Sequence, residues 1–386
     1  MPESISRRSV LKSGAAAGAL AALGWPDWLL PALAQGEAVV PFTDMPANFA
    51  TNPSELVRVL DIRRIDAPVT PQDQFFTLQH YGQPTIDPAV WRLSIDGLVN
   101  KPLSLGLDEL RKMGSTELVA GFECSGNGPG RVNGLASNGR WTGVPLRAVL
   151  ARAGVKSDAD EVVFFGADRG EEDVDFRGRI IKVTQQFGRS LSVPDATRPE
   201  PLLAYALNGE PLTKQQGFPV RLIVPGWYGV ANVKWLSETH VQRGRYLGKF
   251  QARWYRTLRG ESINGEVKYT EAEISRQQLK SVVARVTRAD GAHRIQGFVL
   301  TDGTAVKSVE VRIDDGPWRA ATMDPSNTPF SWKLFSYRWT GATPGEHTVV
   351  SRVTDVNGRI QPTATDLESK LTSLENNTQW PRKVQI

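Results

Sequence analysis

The chain holds one cysteine, Cys124, in the run Phe122-Glu123-Cys124-Ser125-Gly126-Asn127-Gly128. A lone thiol makes no internal disulfide. It serves either as a small buried apolar group or as a soft thiolate ligand for a soft metal. Asn138-Gly139-Arg140-Trp141-Thr142-Gly143-Val144-Pro145-Leu146 begins eleven residues after Asn127. A second dense stretch runs from Leu203-Ala204-Tyr205-Ala206-Leu207-Asn208-Gly209 through Gln216-Gly217-Phe218-Pro219-Val220-Arg221 to Asn232-Val233-Lys234-Trp235-Leu236. A tyrosine hydroxyl can donate to an oxo or oxyanion group, and Arg or Lys gives strong charge-assisted bonds to a phosphate. Histidine is scarce, at 80, 240, 293 and 347 only, and no Cys/His pair has zinc-ligand spacing. With one cysteine a C-x-x-C-H haem attachment is excluded, so no haem is expected.

The two stretches together resemble the sulfite oxidase family of molybdenum enzymes. The match is carried by Glu123-Cys124-Ser125-Gly126-Asn127, by Asn138-x-Arg140-Trp141-x-Gly143-x-Pro145-Leu146 and by the run ending in Val233-Lys234-Trp235-Leu236. The resemblance implies a molybdenum–molybdopterin cofactor with Cys124 as the metal's thiolate ligand. It implies catalytic roles for Cys124, Tyr205 and Arg140, with Tyr205 beside the metal's oxo group. It implies cofactor contacts from His80, Cys124, Asp168, Gln216, Arg221, Asn232, Val233 and Lys234. Taken alone, Arg221 and Lys234 would read as solvated surface charges, Asp168 as a loop carboxylate and Tyr205 as a core tyrosine. Gln216 stands where many relatives carry His. Two departures bear on substrate. Leu78 occupies the place, two residues before His80, where the family carries an Arg, and Asn127 is followed by Gly128-Pro129-Gly130 before the first arginine, Arg131. A buried dianion needs cationic partners. Either Arg131, Arg140 or Arg169 replaces the missing charge, Arg140 being the first candidate, or the substrate is not sulfite.

The elements that must position these residues follow from periodicity. Val90–Ile95 alternates as a strand does, 118–122 reads as a buried strand leading into the cysteine loop, and 161–165 and 218–224 are further strands. Helices are expected over 107–113 and from Pro145 to Gly154. Residues 35 to about 75 are Pro-rich and read as irregular. From about 280, short apolar runs (281–287, 294–300, 308–313, 332–339, 347–353) alternate with Asp-Gly, Pro-Gly and Asn-Gly turns, the rhythm of an antiparallel sandwich. The expected fold is an α+β molybdopterin domain over 35–275, then an all-β immunoglobulin-like sandwich over 276–386 that the resemblance assigns to dimerisation.

Ser6-Arg7-Arg8-Ser9-Val10-Leu11-Lys12 followed by a small, apolar stretch to Ala32-Leu33-Ala34 reads as a twin-arginine signal over 1–34. The expected location is the periplasm, with no membrane span in the mature chain. Net charge is +5, without a long Lys/Arg run or an aromatic-interleaved basic stripe, so no nucleic-acid partner is expected. The resemblance implies oxygen-atom transfer: oxidation of sulfite to sulfate, with electrons leaving to an external acceptor such as a cytochrome c, by a homodimer. Two other readings are a sulfoxide reductase or dehydrogenase of another sulfur compound on the same cofactor, which Leu78 favours, and an inactive secreted binding module, which would contain no molybdenum.

Overall fold

The computed structural model describes residues 37–386 apart from 47–48, 50–53, 66, 290 and 326–327. The expected signal over 1–34 lies outside the described residues. Strand accounts for 46% and helix for 11%, so the helices are inserts between sheets and the architecture is mostly β. The helix Leu146–Ala153 shows why they stay short. It buries Leu146, Val149, Leu150 and Ala153, an i, i+3, i+4, i+7 face, and ends at Gly154 in the left-handed region (φ 68°). Pro145 is its N-cap, not its first residue.

Two sheets build the first unit. In one, Glu210–Pro211, Leu202–Leu207, Ala136–Pro145 and Thr116–Glu123 lie side by side, with Arg221–Ile223 also paired to Leu202–Leu207. In the other the order is Leu103–Leu105, Leu93–Gly97, Leu236–Gln242, Glu161–Phe176, Arg179–Ser192, and only the Leu93–Gly97/Leu236–Gln242 pair is parallel. Val144 and Leu203 from the first sheet share a core with Leu93, Ile95, Phe164 and Leu236 from the second. Glu161–Phe176 runs eleven residues past its expected end at 165 as half of a long hairpin.

Beyond Lys280 two antiparallel sheets face each other. One holds Lys280–Ala289, Ala292–Leu300, Lys333–Trp339 and Thr322–Met323, and the other Arg319–Ala320, Val306–Ile313, Glu346–Asp355 and Arg382–Gln385. Val283, Val286, Ile295 and Val299 on the first meet Val309, Val311, Val349 and Val353 on the second. The 35–75 segment, expected to be irregular, contributes to this unit. Ala38–Val40 pairs with Lys280–Ala289, and Asp44 forms an ion pair with the fully buried Arg382 (2.9 Å). Between the first pair of sheets and the second in sequence lies the hairpin Arg256–Ile263/Glu266–Glu273.

Candidate active site: a cationic cavity behind Cys124

Cys124 follows the last residue of the strand Thr116–Glu123, and its loop folds back under its own hydrogen bonds. Asn127 N–H donates to the Cys124 carbonyl and Cys124 N–H to the Leu135 carbonyl, both at 2.9 Å. Asn127 locks the turn through its amide: Nδ2 donates to Glu123 Oε2 (2.9 Å) and to the Asn133 carbonyl (3.0 Å), and Oδ1 accepts from Leu135 N–H (3.0 Å). The thiol itself receives Gly126 N–H at 3.4 Å. Burial pushes the Cys124 thiol up to about 11, only partly offset by that bond. The free side chain is therefore a thiol, and binding a soft metal would remove its proton.

Cys124 lies in the wall of a partly open cavity. His80, Asp168, Arg221, Asn232 and Lys234 line the same cavity, with Thr77, Leu78, Phe187, Val230 and Tyr255. Arg221 is anchored by two carbonyls, Nη1 to Gln216 (3.0 Å) and Nη2 to Asn232 (2.9 Å), and stacks near Trp141 (5.1 Å). Among the described residues its Nε has no partner, and neither does the buried Thr77 hydroxyl. Lys234 Nζ hydrogen-bonds, among the described residues, to neutral oxygens, Gln79 Oε1 (2.7 Å) and the Gln215 carbonyl (3.3 Å). Desolvation holds Lys234 well below an ordinary lysine, with Arg221 adding repulsion, and lowers Arg221 to about 9. Asp168 is raised to about 6 by burial, against the pull of Lys234. Two desolvated cations and one reluctant carboxylate leave a positive hollow that a phosphate-bearing ligand would satisfy. An orphaned guanidinium N–H, a soft thiol and cationic walls fit a metal–pterin cofactor with an anionic tail.

Glycine makes two of these placements possible. A Cβ on Gly166 would lie 2.3 Å from Asp168 Oδ1, so the carboxylate folds back over bare backbone. Gly217 has φ 102°, and a Cβ there would lie 2.8 Å from the Lys234 Cβ.

His80 and Tyr255 form the opposite chemistry. His80 Nε2 is 2.8 Å from Tyr255 Oη, and the imidazole stacks on Phe250 (centroids 4.8 Å, 21°). Burial, then Lys249 and Lys234, lower His80 to about 4, so it is a neutral imidazole. Burial raises Tyr255, so its hydroxyl stays protonated. Tyr255 was not among the residues expected from sequence. It sits in Gln251-Ala252-Arg253-Trp254-Tyr255 after a one-turn helix, with no spacing signal to single it out.

The tyrosine expected beside the metal is elsewhere. Tyr205 does not line the cavity: it packs against the core next to the helix Leu107–Arg111, with Arg111 over its ring (5.2 Å) and Ser115 Oγ accepting from its hydroxyl (3.2 Å). A register shift between Ala204 and Ala206 lies at this residue. The expected substrate cation is also displaced. In the strand Ala136–Pro145 Trp141 points inward, so Arg140 points outward, half exposed beside Glu117 (3.4 Å). Arg131 and Arg169 are exposed as well, and neither lines the cavity. Gln216 and Val233 support from behind. The Gln216 amide is spent on Gln72 and Thr213, its carbonyl holds Arg221, and Val233 lies in the core.

Residues 80–250 match the oxidoreductase molybdopterin binding domain family, and residues 4–24 match the twin-arginine translocation pathway signal sequence. Mitochondrial sulfite oxidase of Homo sapiens is 30% identical over 324 residues, covering 76% of this chain and 57% of that one. Sulfite oxidase of Arabidopsis thaliana is 26% identical over 351 residues, covering 81% and 87%. The chain thus spans little more than half the length of the mammalian relatives. The crystal structure of the sulfane dehydrogenase SoxCD from Paracoccus pantotrophus superposes with a TM-score of 0.72 at 24% identity, over 89% of this chain and 90% of that one, a likeness of fold. Among the described residues no helix is long and apolar enough to cross a membrane. The cavity chemistry, the matched domain and the signal agree: the chain is an exported, periplasmic protein with an oxidoreductase molybdopterin binding domain, similar over most of its length to sulfite oxidases.

Proposed function

We propose that the chain transfers an oxygen atom to a sulfur compound, with sulfite to sulfate as the reaction to test first. The observation that carries this reading is the convergence of the Cys124 thiol, the Tyr255–His80 pair and the Arg221/Lys234 cations on one cavity. A molybdenum–pterin cofactor held there would supply two-electron redox chemistry and the oxygen atom. Cys124 would hold the metal, and Arg221, Lys234 and Asn232 the cofactor's polar groups. Tyr255 Oη, a protonated donor backed by a neutral imidazole, would bond the oxygen in transit and pass a proton through His80. In balance, sulfite gains an oxygen drawn from water and releases two electrons and two protons. The electrons leave to a one-electron acceptor protein, a cytochrome c in this proposal. The division into 35–275 and an immunoglobulin-like 276–386, and a homodimer formed through the latter, belong to the same proposal.

A second reading has its own support. Leu78 lines the cavity where the family arginine was expected, and Arg131, Arg140 and Arg169 all lie outside the lining. A pocket with that apolar member suits a sulfur substrate of lower charge, such as thiol-bound sulfur, better than a free dianion. The test is sulfite-dependent reduction of ferricyanide and of cytochrome c by protein shown to contain molybdenum. Rapid turnover at low sulfite supports the first reading. Full molybdenum without sulfite turnover, but with turnover of thiol-bound sulfur, supports the second. Protein that binds no molybdenum under cofactor-replete expression would contradict both.

A further inference from the structure

The Cys124 loop is gripped from the far unit. Glu123 N–H donates to Gln277 Oε1 (3.2 Å), and the Glu123 carboxylate pairs with Lys280 (2.8 Å) at the start of Lys280–Ala289. A third grip lands closer to the thiol. Glu375 N–H donates to the Ser125 carbonyl at 2.6 Å. That carbonyl belongs to the same planar peptide unit as the Gly126 N–H that points at Cys124 Sγ (3.4 Å). Fixing one end of the plane aims the other.

Glu375 is built for this at a cost. It lies in a strap between Glu346–Asp355 and Arg382–Gln385, and its φ is 54°, a left-handed conformation that disfavours side chains larger than glycine. Its carboxylate is nearly buried and bonded to Arg259 Nη2 at 3.0 Å. The strap is tied along the intervening hairpin, Leu371 N–H to the Leu258 carbonyl (3.0 Å) and Gly260 N–H to the Ser369 carbonyl (2.9 Å). The Arg259 ion pair thus holds a strained residue whose backbone orients the peptide facing the thiol.

We propose that Glu375 is a positioning residue for Cys124: the strap sets the Ser125–Gly126 peptide so that Gly126 N–H bonds the cysteine sulfur, and the second β unit thereby tunes the metal ligand. The inference rests on the reading of Cys124 as that ligand. An N–H aimed at a metal-bound thiolate withdraws charge and raises the metal's reduction potential. Glu375→Ala removes the ion pair and keeps the backbone penalty, so the strap relaxes. Glu375→Gly also removes the pair but accepts φ 54° without strain, so the grip persists.

The test uses the full mature chain, purified with and without molybdenum. The readouts are the molybdenum reduction potential and the rate at which an aromatic disulfide reagent modifies the chain's single thiol. In Glu375→Ala the potential falls, and the thiol of molybdenum-free protein reacts about tenfold faster, or more, as its loop opens. Glu375→Gly returns both toward native, which loss of packing alone would not do. Arg259→Met, altering the more exposed partner, reproduces Glu375→Ala and serves if that variant does not fold. Native potential and native thiol rate in folded Glu375→Ala or Arg259→Met would overturn the proposal. A native thiol that reacts equally fast with and without molybdenum would instead overturn the ligand reading beneath it.

Discussion

Replacing Tyr255 with phenylalanine removes one oxygen atom from the cavity wall and leaves the ring in place. That oxygen is 2.8 Å from His80 Nε2, in a wall of Phe187, Phe250 and Trp254. His80 then faces an apolar edge, and an unsatisfied buried polar group costs about 1–3 kcal/mol, which thermal or urea unfolding will register. The effect on turnover is larger if the hydroxyl donates in the transition state. Loss of a positioned proton donor slows catalysis by about 10²–10⁴, equivalent to roughly 2.7–5.4 kcal/mol of barrier. Tyr205→Phe is the control. Its hydroxyl reaches only Ser115, at 3.2 Å on an exposed edge, so stability should move by less than about 0.5 kcal/mol and turnover should be unchanged. The assay is sulfur-substrate-dependent ferricyanide reduction, normalised to molybdenum. If Tyr255→Phe stays within about threefold of native while Tyr205→Phe loses activity, the assignment of the donor to Tyr255 is wrong.

Lys280→Met leaves the Glu123 carboxylate buried and unpaired (side chains 3% and 2% exposed in the native pair). It should destabilise the chain by about 3–5 kcal/mol in urea unfolding, with most of that recovered in Glu123→Gln/Lys280→Met. Lys234→Met removes a desolvated cation from the cavity. Cofactor-free stability at pH 7 should hold or rise, while molybdenum retention on dialysis should weaken by about tenfold or more. For His80 the folded value, about 4, lies below the ordinary 6.5. The unfolded chain therefore takes up a proton that the folded chain refuses, and native stability falls as pH drops through that window. His80→Gln lacks this penalty, so between pH 7 and pH 4 the unfolding free energy should shift in favour of the variant by up to about 3 kcal/mol.

Some of this was legible in the sequence because it is local. The Cys124 loop is closed by Asn127 bonding back to Glu123 and forward to Leu135, so its chemistry and geometry share one contiguous run. Arg221 and Lys234 flank one short strand and its return, where a linear motif tracks the folded wall. What eluded the sequence depends on pairing between distant strands. Tyr205 and Tyr255 are the same residue type: Tyr205 sits at the register shift between Ala204 and Ala206, whereas Tyr255 follows the helix Lys249–Ala252 and meets His80. Arg140 is expected to meet the substrate from its place in the linear motif, while its neighbour Trp141 takes the core face of the same strand. Strand alternation then sends Arg140 outward. The strand Glu161–Phe176 is expected only to 165 because its distal half, Arg169 to Asp175, is mostly charged. That half extends as a two-stranded ribbon outside the core, where alternation of apolar residues is not required. The pairing of Ala38–Val40 with Lys280–Ala289 spans most of the chain and involves three residues, too few for a periodic signal.

Every role proposed for the cavity depends on one assignment, Cys124 as the protein's ligand to molybdenum. X-ray absorption at the molybdenum edge of the purified mature protein tests it most directly, with Cys124→Ser measured alongside at matched cofactor content. Cys124→Ser should show one sulfur neighbour fewer around molybdenum, with turnover abolished and the pterin still bound. An unchanged sulfur shell in that variant, with turnover retained, would contradict it.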